Sequence, residues 1–263
     1  MGRAMEMVSV QATAPGAGGA AGAAVSGNSL TIRDSRKAAR IVGLWSNRQG
    51  VGGVRLTSPL IHDTTYGISN FASVGGQTVS LFPIGQPVQA QDTLTATITG
   101  SATAGDIEQS SFIVAYDDLP GVEGRFFTAA QIRARMVNLF TTVNTLATGT
   151  AGGYSGSELV GAETDAFKAN VDYALLGATV YSAAACSIRY DGPDWGNLGI
   201  GLPAFVTSNN NDMAYFFLLL SELTNLPLIP VMNASNKGLT NISALQNEVG
   251  ADPIVVTQWA ELR

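Results

Sequence analysis

At 263 residues and 27.2 kDa, the chain is long enough to bury one large core or two small ones without disulfides or metals. Only 13% of its residues are charged, about half the usual share, while 46% are hydrophobic. That balance argues against a freely diffusing monomer, which needs a well-charged surface, and for a chain that hides its surface in an assembly or in lipid.

Lipid is tested by run length. A membrane-spanning helix needs about 20 consecutive apolar residues. The best run, Tyr173 to Ile188, is shorter and carries Ser and Thr. Met1 to Ala14 also lacks the apolar stretch of a secretory signal. The formal net charge of -6 is unevenly spread. Residues 1 to 55 hold seven basic residues (Arg3, Arg33, Arg36, Lys37, Arg40, Arg48 and Arg55) against Glu6 and Asp34, a net +5. The remainder holds seven basic against 18 acidic residues, a net -11. A basic arm on an acidic body suggests an arm with its own anionic partner.

Along the chain, Met7 to Thr13 reads as a strand, and Ala14 to Gly27 is a Gly/Ala tract of flexible character. Gly16 to Ala21 fits a dinucleotide-binding loop loosely, but Pro15 and the missing βαβ pattern argue against it. Ser29 to Val42 places Arg33, Arg36, Lys37 and Arg40 at helical spacings, where they would meet phosphates of nucleic acid or lipid headgroups, or simply solvent or a neighbouring subunit. The expected organisation is an arm over residues 1–50, a first β-rich domain over 51–165, and a second over 166–263 that either stands alone or completes the first.

The body is a series of short β-type runs between turn residues. The expected strands are Val54 to Leu60, Gln77 to Phe82, Thr93 to Thr99, Ser110 to Tyr116, Phe140 to Ala147, Val171 to Ala178, Ala185 to Tyr190, Leu198 to Leu202, Leu226 to Met232, Leu239 to Ile242 and Pro253 to Trp259. Two segments read as helices. Thr128 to Asn138 opens on the capping-box pair Thr128 and Gln131. Asp212 to Leu223 is apolar nearly all round, which suits a buried or interfacial helix. Similar surroundings, Leu119-Pro120-Gly121 before one helix and Leu202-Pro203-Ala204 before the other, suggest a duplicated unit of about 80 to 90 residues.

Candidate chemistry is sparse. His62 is the sole histidine, and its neighbour Asp63 would face the opposite way in a strand, which suits neither a relay nor a triad. Cys186, the one cysteine, lies in an apolar run and reads as a small core residue. Asp191, Asp194 and Asn197 form a weak Ca²⁺-type candidate in a loop whose residues are also ordinary turn formers. Asn233-Ala234-Ser235 and Asn241-Ile242-Ser243 match glycosylation sequons and read as turns. No cofactor is expected.

In its organisation, with the basic arm of residues 1–55 followed by β-rich segments and the helices Thr128 to Asn138 and Asp212 to Leu223, the chain resembles jelly-roll coat proteins of viruses and bacteriophages. The duplication extends the likeness to the double jelly-roll type, although the second half shows fewer obvious strands than an eight-stranded barrel needs, so one elaborated jelly roll also fits. The resemblance implies a mainly β fold, a non-enzymatic virion shell protein, and self-association into trimers or larger shells with other virion parts. It also implies an arm facing genome or internal membrane through Arg33, Arg36, Lys37, Arg40, Arg48 and Arg55. A tail, fibre or decoration protein, and a carbohydrate-binding or hydrolytic β-sandwich, are the alternatives.

Overall fold

A computed structural model describes residues 3–13, 23–47, 52–60, 67–72, 78–99, 105–163, 165–204 and 211–263. Among these the chain is mainly β, with seventeen strands in four antiparallel sheets and three short α-helices. Among the described residues no helix is long and apolar enough to cross a membrane. The chain divides into two compact units, one of Met1–Met7 with Gly121–Arg263 and one of Val8–Pro120. The expected boundary at 165/166 falls within the first of these units.

In the 8–120 unit the strands are β1 (Ala4–Thr13, whose first residues belong to the other unit), β2 (Ala23–Thr31), β3 (Ala39–Asn47), β4 (Gly52–Thr57), β5 (Ile68–Ala72), β6 (Thr78–Val88), β7 (Thr93–Thr99) and β8 (Ile107–Tyr116). One sheet runs β1-β8-β3-β6 and the other β2-β7-β4-β5. First pairs with last, second with seventh, third with sixth and fourth with fifth. That is the pattern of one long hairpin whose successive rungs alternate between two sheets. The alternation in β7 is the plainest local cause: Leu94, Ala96 and Ile98 are buried while the threonines between them face out or lie half-buried. Polar cross-links also serve, as Ser46 and Ser110 hydroxyls meet at 2.8 Å in a buried site between β3 and β8.

The arm reading is corrected here. β1 and β3 fall within residues expected to form a flexible extension, and so does the end of the Gly/Ala tract, Ala23 to Gly27, within β2. Residues 14–22 lie outside the described residues. Ser29 to Val42 is not helical but the end of β2, a connection, and the start of β3. The reason is burial: Ile41, Val42, Leu44 and Trp45 are each no more than 1% exposed, so β3 is a central strand covered on both faces. A strand covered on both faces shows an unbroken apolar run and not the period of two.

The other unit contains β9 (Phe126–Phe127), α1 (Ala129–Arg135), β10 (Met136–Thr145), β11 (Glu158–Leu159), β12 (Asp172–Tyr181), β13 (Ala185–Asp191), β14 (Ile200–Pro203), α2 (Asn211–Ala214), α3 (Phe216–Thr224), β15 (Ile229–Asn233), β16 (Asn241–Gln246) and β17 (Ile254–Leu262). Its sheets run β10-β17-β12-β15-β9 and β11-β16-β13-β14. Counting from β10 as first, these are the same pairings as in the 8–120 unit, with β9 added at one edge. The duplication is thus present in topology, but its frame differs from the expected 80 to 90 residues: β1 at Ala4 corresponds to β10 at Met136, and β3 at Ala39 to β12 at Asp172. The helices aligned by sequence are not equivalent, since α1 precedes the first strand of its set and α3 joins the fifth to the sixth.

α1 opens as expected. The Thr128 side chain accepts from the Gln131 amide, and the Gln131 side chain accepts from the Thr128 amide at 2.8 Å. The second expected helix is broken at Tyr215 into α2 and α3, and α3 ends on Asn225 in the left-handed region. Phe216, Phe217 and Leu220 are buried, while Tyr215, Leu219 and Leu223 are exposed. Beneath the helices lies Gly177, at a bulge in β12. A Cβ there would stand 2.2 Å from the Met213 carbonyl oxygen and 2.6 Å from the Phe216 nitrogen. Phe140, Tyr173 and Trp259 of this sheet and Phe167 of the β11–β12 connection form a chain of edge-to-face rings with centroids 5.0 to 5.4 Å apart.

Gly177→Ala is expected to destabilise the chain by about 1–3 kcal/mol, because the methyl group must push α2–α3 off β12. Urea denaturation followed by tryptophan fluorescence measures it.

Candidate functional site

The predicted cationic residues that are described stand on three elements, the β2–β3 connection, β3 and β4. Arg33, Arg36 and Lys37 sit exposed on the connection between β2 and β3. That connection is anchored to the end of β8: the Arg36 amide donates to the Asp118 carbonyl at 3.0 Å and the Arg33 amide to the Tyr116 hydroxyl at 3.4 Å. The Ser35 hydroxyl donates to the Lys37 carbonyl at 2.6 Å. Arg40 is half-buried at the start of β3, where its Nη1 donates to the Ile84 carbonyl and its stem lies against Gly85. Arg55 is half-buried on β4, between β5 and β7. Arg48 lies outside the described residues, as do His62 and Asp63. The loop of three cations also contains Asp34, and Asp117 and Asp118 follow the β8 end to which it is tied.

The acidic loop is built for internal support. Asp191 pairs with Arg189 at 2.8 Å. Asp194 Oδ2 accepts from the Asn233 amide at 2.8 Å and from Asn236 Nδ2 at 2.9 Å. Asn197 is exposed and in the left-handed region, with φ 54°. Of the weak metal candidate, the two carboxylates are thus directed to different partners. Among the described residues no group of three His, Cys, Asp or Glu side chains is placed to hold a metal ion. Cys186 is buried and forms no disulfide.

The polar centre that the sequence did not reveal joins Arg125, Asp172, Asp194 and Asn233. Arg125 Nη1 and Nη2 donate to the two Asp172 oxygens at 3.0 and 2.5 Å, a bidentate pair. Asn233 Nδ2 donates to Asp172 Oδ1 at 2.8 Å, and Asp194 Oδ1 stands 3.9 Å from Arg125 Nη1. Asn233 Oδ1 accepts from the Ser235 amide at 3.0 Å, so the first sequon-like triplet is a side-chain-capped turn. Burial opposes ionisation of Asp172, but the hydrogen bonds from Arg125 and Asn233 and the charges of Arg125 and Arg135 outweigh it. The carboxyl titrates below its usual range. Its hydrogen bonds in turn hold Arg125 more firmly charged. This network ties the start of β12 to β15 and to the turn around Asp194. Its residues were hidden because they are separated in sequence and each reads alone as a turn or strand-end residue.

A cleft of about 620 Å³ is lined by Thr145, Val180, Tyr181, Ser182, Ala183, Ala251, Asp252 and Ile254. Asp252 already accepts from the Thr148 amide at 2.7 Å.

No protein family matches the sequence, and no curated protein does. Among solved structures, the PBSX exported protein XepA is 10% identical with a TM-score of 0.30, over 98% of this chain and 86% of that one. The major capsid protein P2 from Bacteriophage PM2 is 10% identical with a TM-score of 0.22, over 99% and 98%. YhaK from Escherichia coli is 9% identical with a TM-score of 0.24, over 97% and 86%. At such scores these likenesses carry no argument, and the functional reading rests on the chain's own topology and surface.

Asp172→Asn is expected to cost about 1–3 kcal/mol at neutral pH, leaving a half-buried guanidinium without its carboxylate. Because the folded state lowers the Asp172 pKa, its contribution is present above the ordinary carboxylate range and is lost as pH falls through the lowered value. Denaturation curves of wild type and variant should therefore converge in acid.

Proposed function

We propose that the chain is a self-assembling shell protein of a virion, each of its two units a jelly roll, with no enzymatic activity of its own. One observation carries the reading: the same eight-strand pairing, first with last and inward, occurs twice in tandem. Rolling one long hairpin into two facing sheets gives the jelly-roll order, and viral capsids, lectins and cupins use that architecture. What favours the shell is the surface. Charged residues are 13% of the chain, and Met136, Val137, Leu139, Leu219, Leu223 and Leu239 are apolar yet 38 to 64% exposed. Scattered apolar residues are normal, but their company with so few charges suits burial by neighbouring copies.

In this reading the subunit closes into trimers or larger shells and meets other virion proteins at their rims. The loop of Arg33, Arg36 and Lys37, together with Arg40, Arg48 and Arg55, meets an anionic interior, either genome or internal membrane. Removing residues 1–42 is not a clean test, because β1, β2 and part of β3 would go with them. Charge removal is cleaner.

Electron micrographs of the purified full-length chain should show closed particles or uniform rings; a dispersed monomer that binds sugar or metal would support a lectin- or cupin-like role instead. Arg33→Gln with Arg36→Gln and Lys37→Gln should weaken binding to duplex DNA or to phosphatidylserine vesicles. For DNA, the slope of log affinity against log salt should flatten by about 0.9 for each phosphate no longer neutralised. An unchanged slope and unchanged vesicle binding would remove the loop from the interior contact.

A further inference from the structure

We propose that the outer edge of β10 is a self-association strand, at which two copies of this chain pair β10 to β10 in antiparallel fashion. The proposal rests on the self-assembly reading above and names the surface that performs it.

β10 ends its sheet, and β17 is its neighbour there. Its ten residues, Met136–Thr145, include no charge and no proline. Met136, Val137, Asn138 and Leu139 are exposed in succession, so both faces of the strand are uncovered there. Long, exposed, apolar edges are templates for pairing with another chain, and folded proteins normally blunt them by shortness, charge, proline or cover. The other edges of this unit are blunted: β9 and β11 have two residues each, and β14 has four and ends in Pro203. The counterpart of β10 in the first set of eight strands is β1, whose first residues belong with the 121–263 unit. The Met7 amide donates to the Gly199 carbonyl at 2.7 Å, and the Arg3 carbonyl accepts from the Gly124 amide at 2.8 Å.

The direction of the outward groups follows from the ladder. In an antiparallel pair, alternate residues turn both N–H and C=O away from the partner. The Thr145 amide points away from β17, since Glu163 Oε1 accepts it at 2.5 Å. Val143, Thr141 and Leu139 therefore offer their backbone groups outward too, beyond the bulge at Met136/Asn138.

Charge selects the occupant. The start of β10 follows Arg133 and Arg135 and lies beside the Arg263 end of β17. Arg133 pairs with Glu222, and Arg135 stands 4.0 Å from Asp172. The far end of β10 holds Glu163 on Thr145 and lies beside the start of β17, which follows Asp252. One end thus holds Arg133, Arg135 and Arg263, with Glu222, Asp172 and the Lys168-bound Glu261 beside them, and the other holds Glu163 and Asp252. Antiparallel pairing with a second copy places the arginine end of each against the carboxylate end of the other, twice over, as a two-fold contact requires. Parallel pairing would set like charges together.

The native cysteine is buried, so a single added cysteine reports cleanly. In the full-length chain, cysteines are placed one at a time at Val137, Leu139 and Thr141, with Val249, 68% exposed, as the control position. On mild oxidation at least one β10 position should give a disulfide-linked species of twice the chain mass, at least tenfold above the control and reversed by reductant. Leu139→Lys with Thr141→Lys should weaken association at least tenfold by light scattering while leaving the thermal midpoint within a few degrees. If wild type is oligomeric, yet no β10 cysteine exceeds the control and the lysine variant assembles normally, the edge pairing is wrong and self-assembly stands. If wild type is monomeric at all concentrations, both readings fall.

Discussion

The pairing of first strand with last governs this molecule. In the 121–263 unit β10 lies along β17 over nearly its whole length, from Met136 opposite Leu262 to Thr145 opposite Ile254. Once those distant segments meet, β11 must find β16, β12 must find β15, and β13 must find β14, because each is the next rung inward. The same holds from β1 and β8 to β4 and β5. Such pairings are almost wholly long-range, which makes folding slow and leaves edges open until the winding is complete. The side chains at the closing strands are correspondingly well held. Trp259 of β17 donates to the Thr142 hydroxyl of β10 at 3.0 Å in a buried site, and its ring meets Phe167.

Polar groups fix what the apolar rungs leave free. The Arg125–Asp172 pair, joined by Asn233 and Asp194, pins the start of β12 to β15 and to the turn that carries the buried Trp195. In the other unit, serine hydroxyls join β1 to β8 and β8 to β3. These are structural devices, and one of them engages Asp194 of the acidic loop, while Asp191 pairs with Arg189. What the described surface offers besides is few charges and, in the 121–263 unit, the long edge of β10.

The sequence made the β7 alternation, the capping box of α1 and most strands of the second half legible, because each is a local signal in consecutive residues. It hid β3, since Ile41, Val42, Leu44 and Trp45 are buried on both faces and give no period of two. The arginines around β3 then suggested a helix that burial overrides. The frame of the repeat is not legible from the two helices, because strand pairing is what repeats, and strand pairing leaves no local trace. The functional candidates fared similarly. Arg33, Arg36 and Lys37 do come together in one loop, whereas the Arg125 network depends on partners far along the chain and the β10 edge on where the sheet stops.

A shell role requires the chain to be one subunit of a closed assembly. Sedimentation of the full-length protein across a hundredfold range of concentration measures that directly. It should give a discrete species of three or more copies of the 27.2 kDa chain that persists on dilution. A single 27.2 kDa species at every concentration would contradict it.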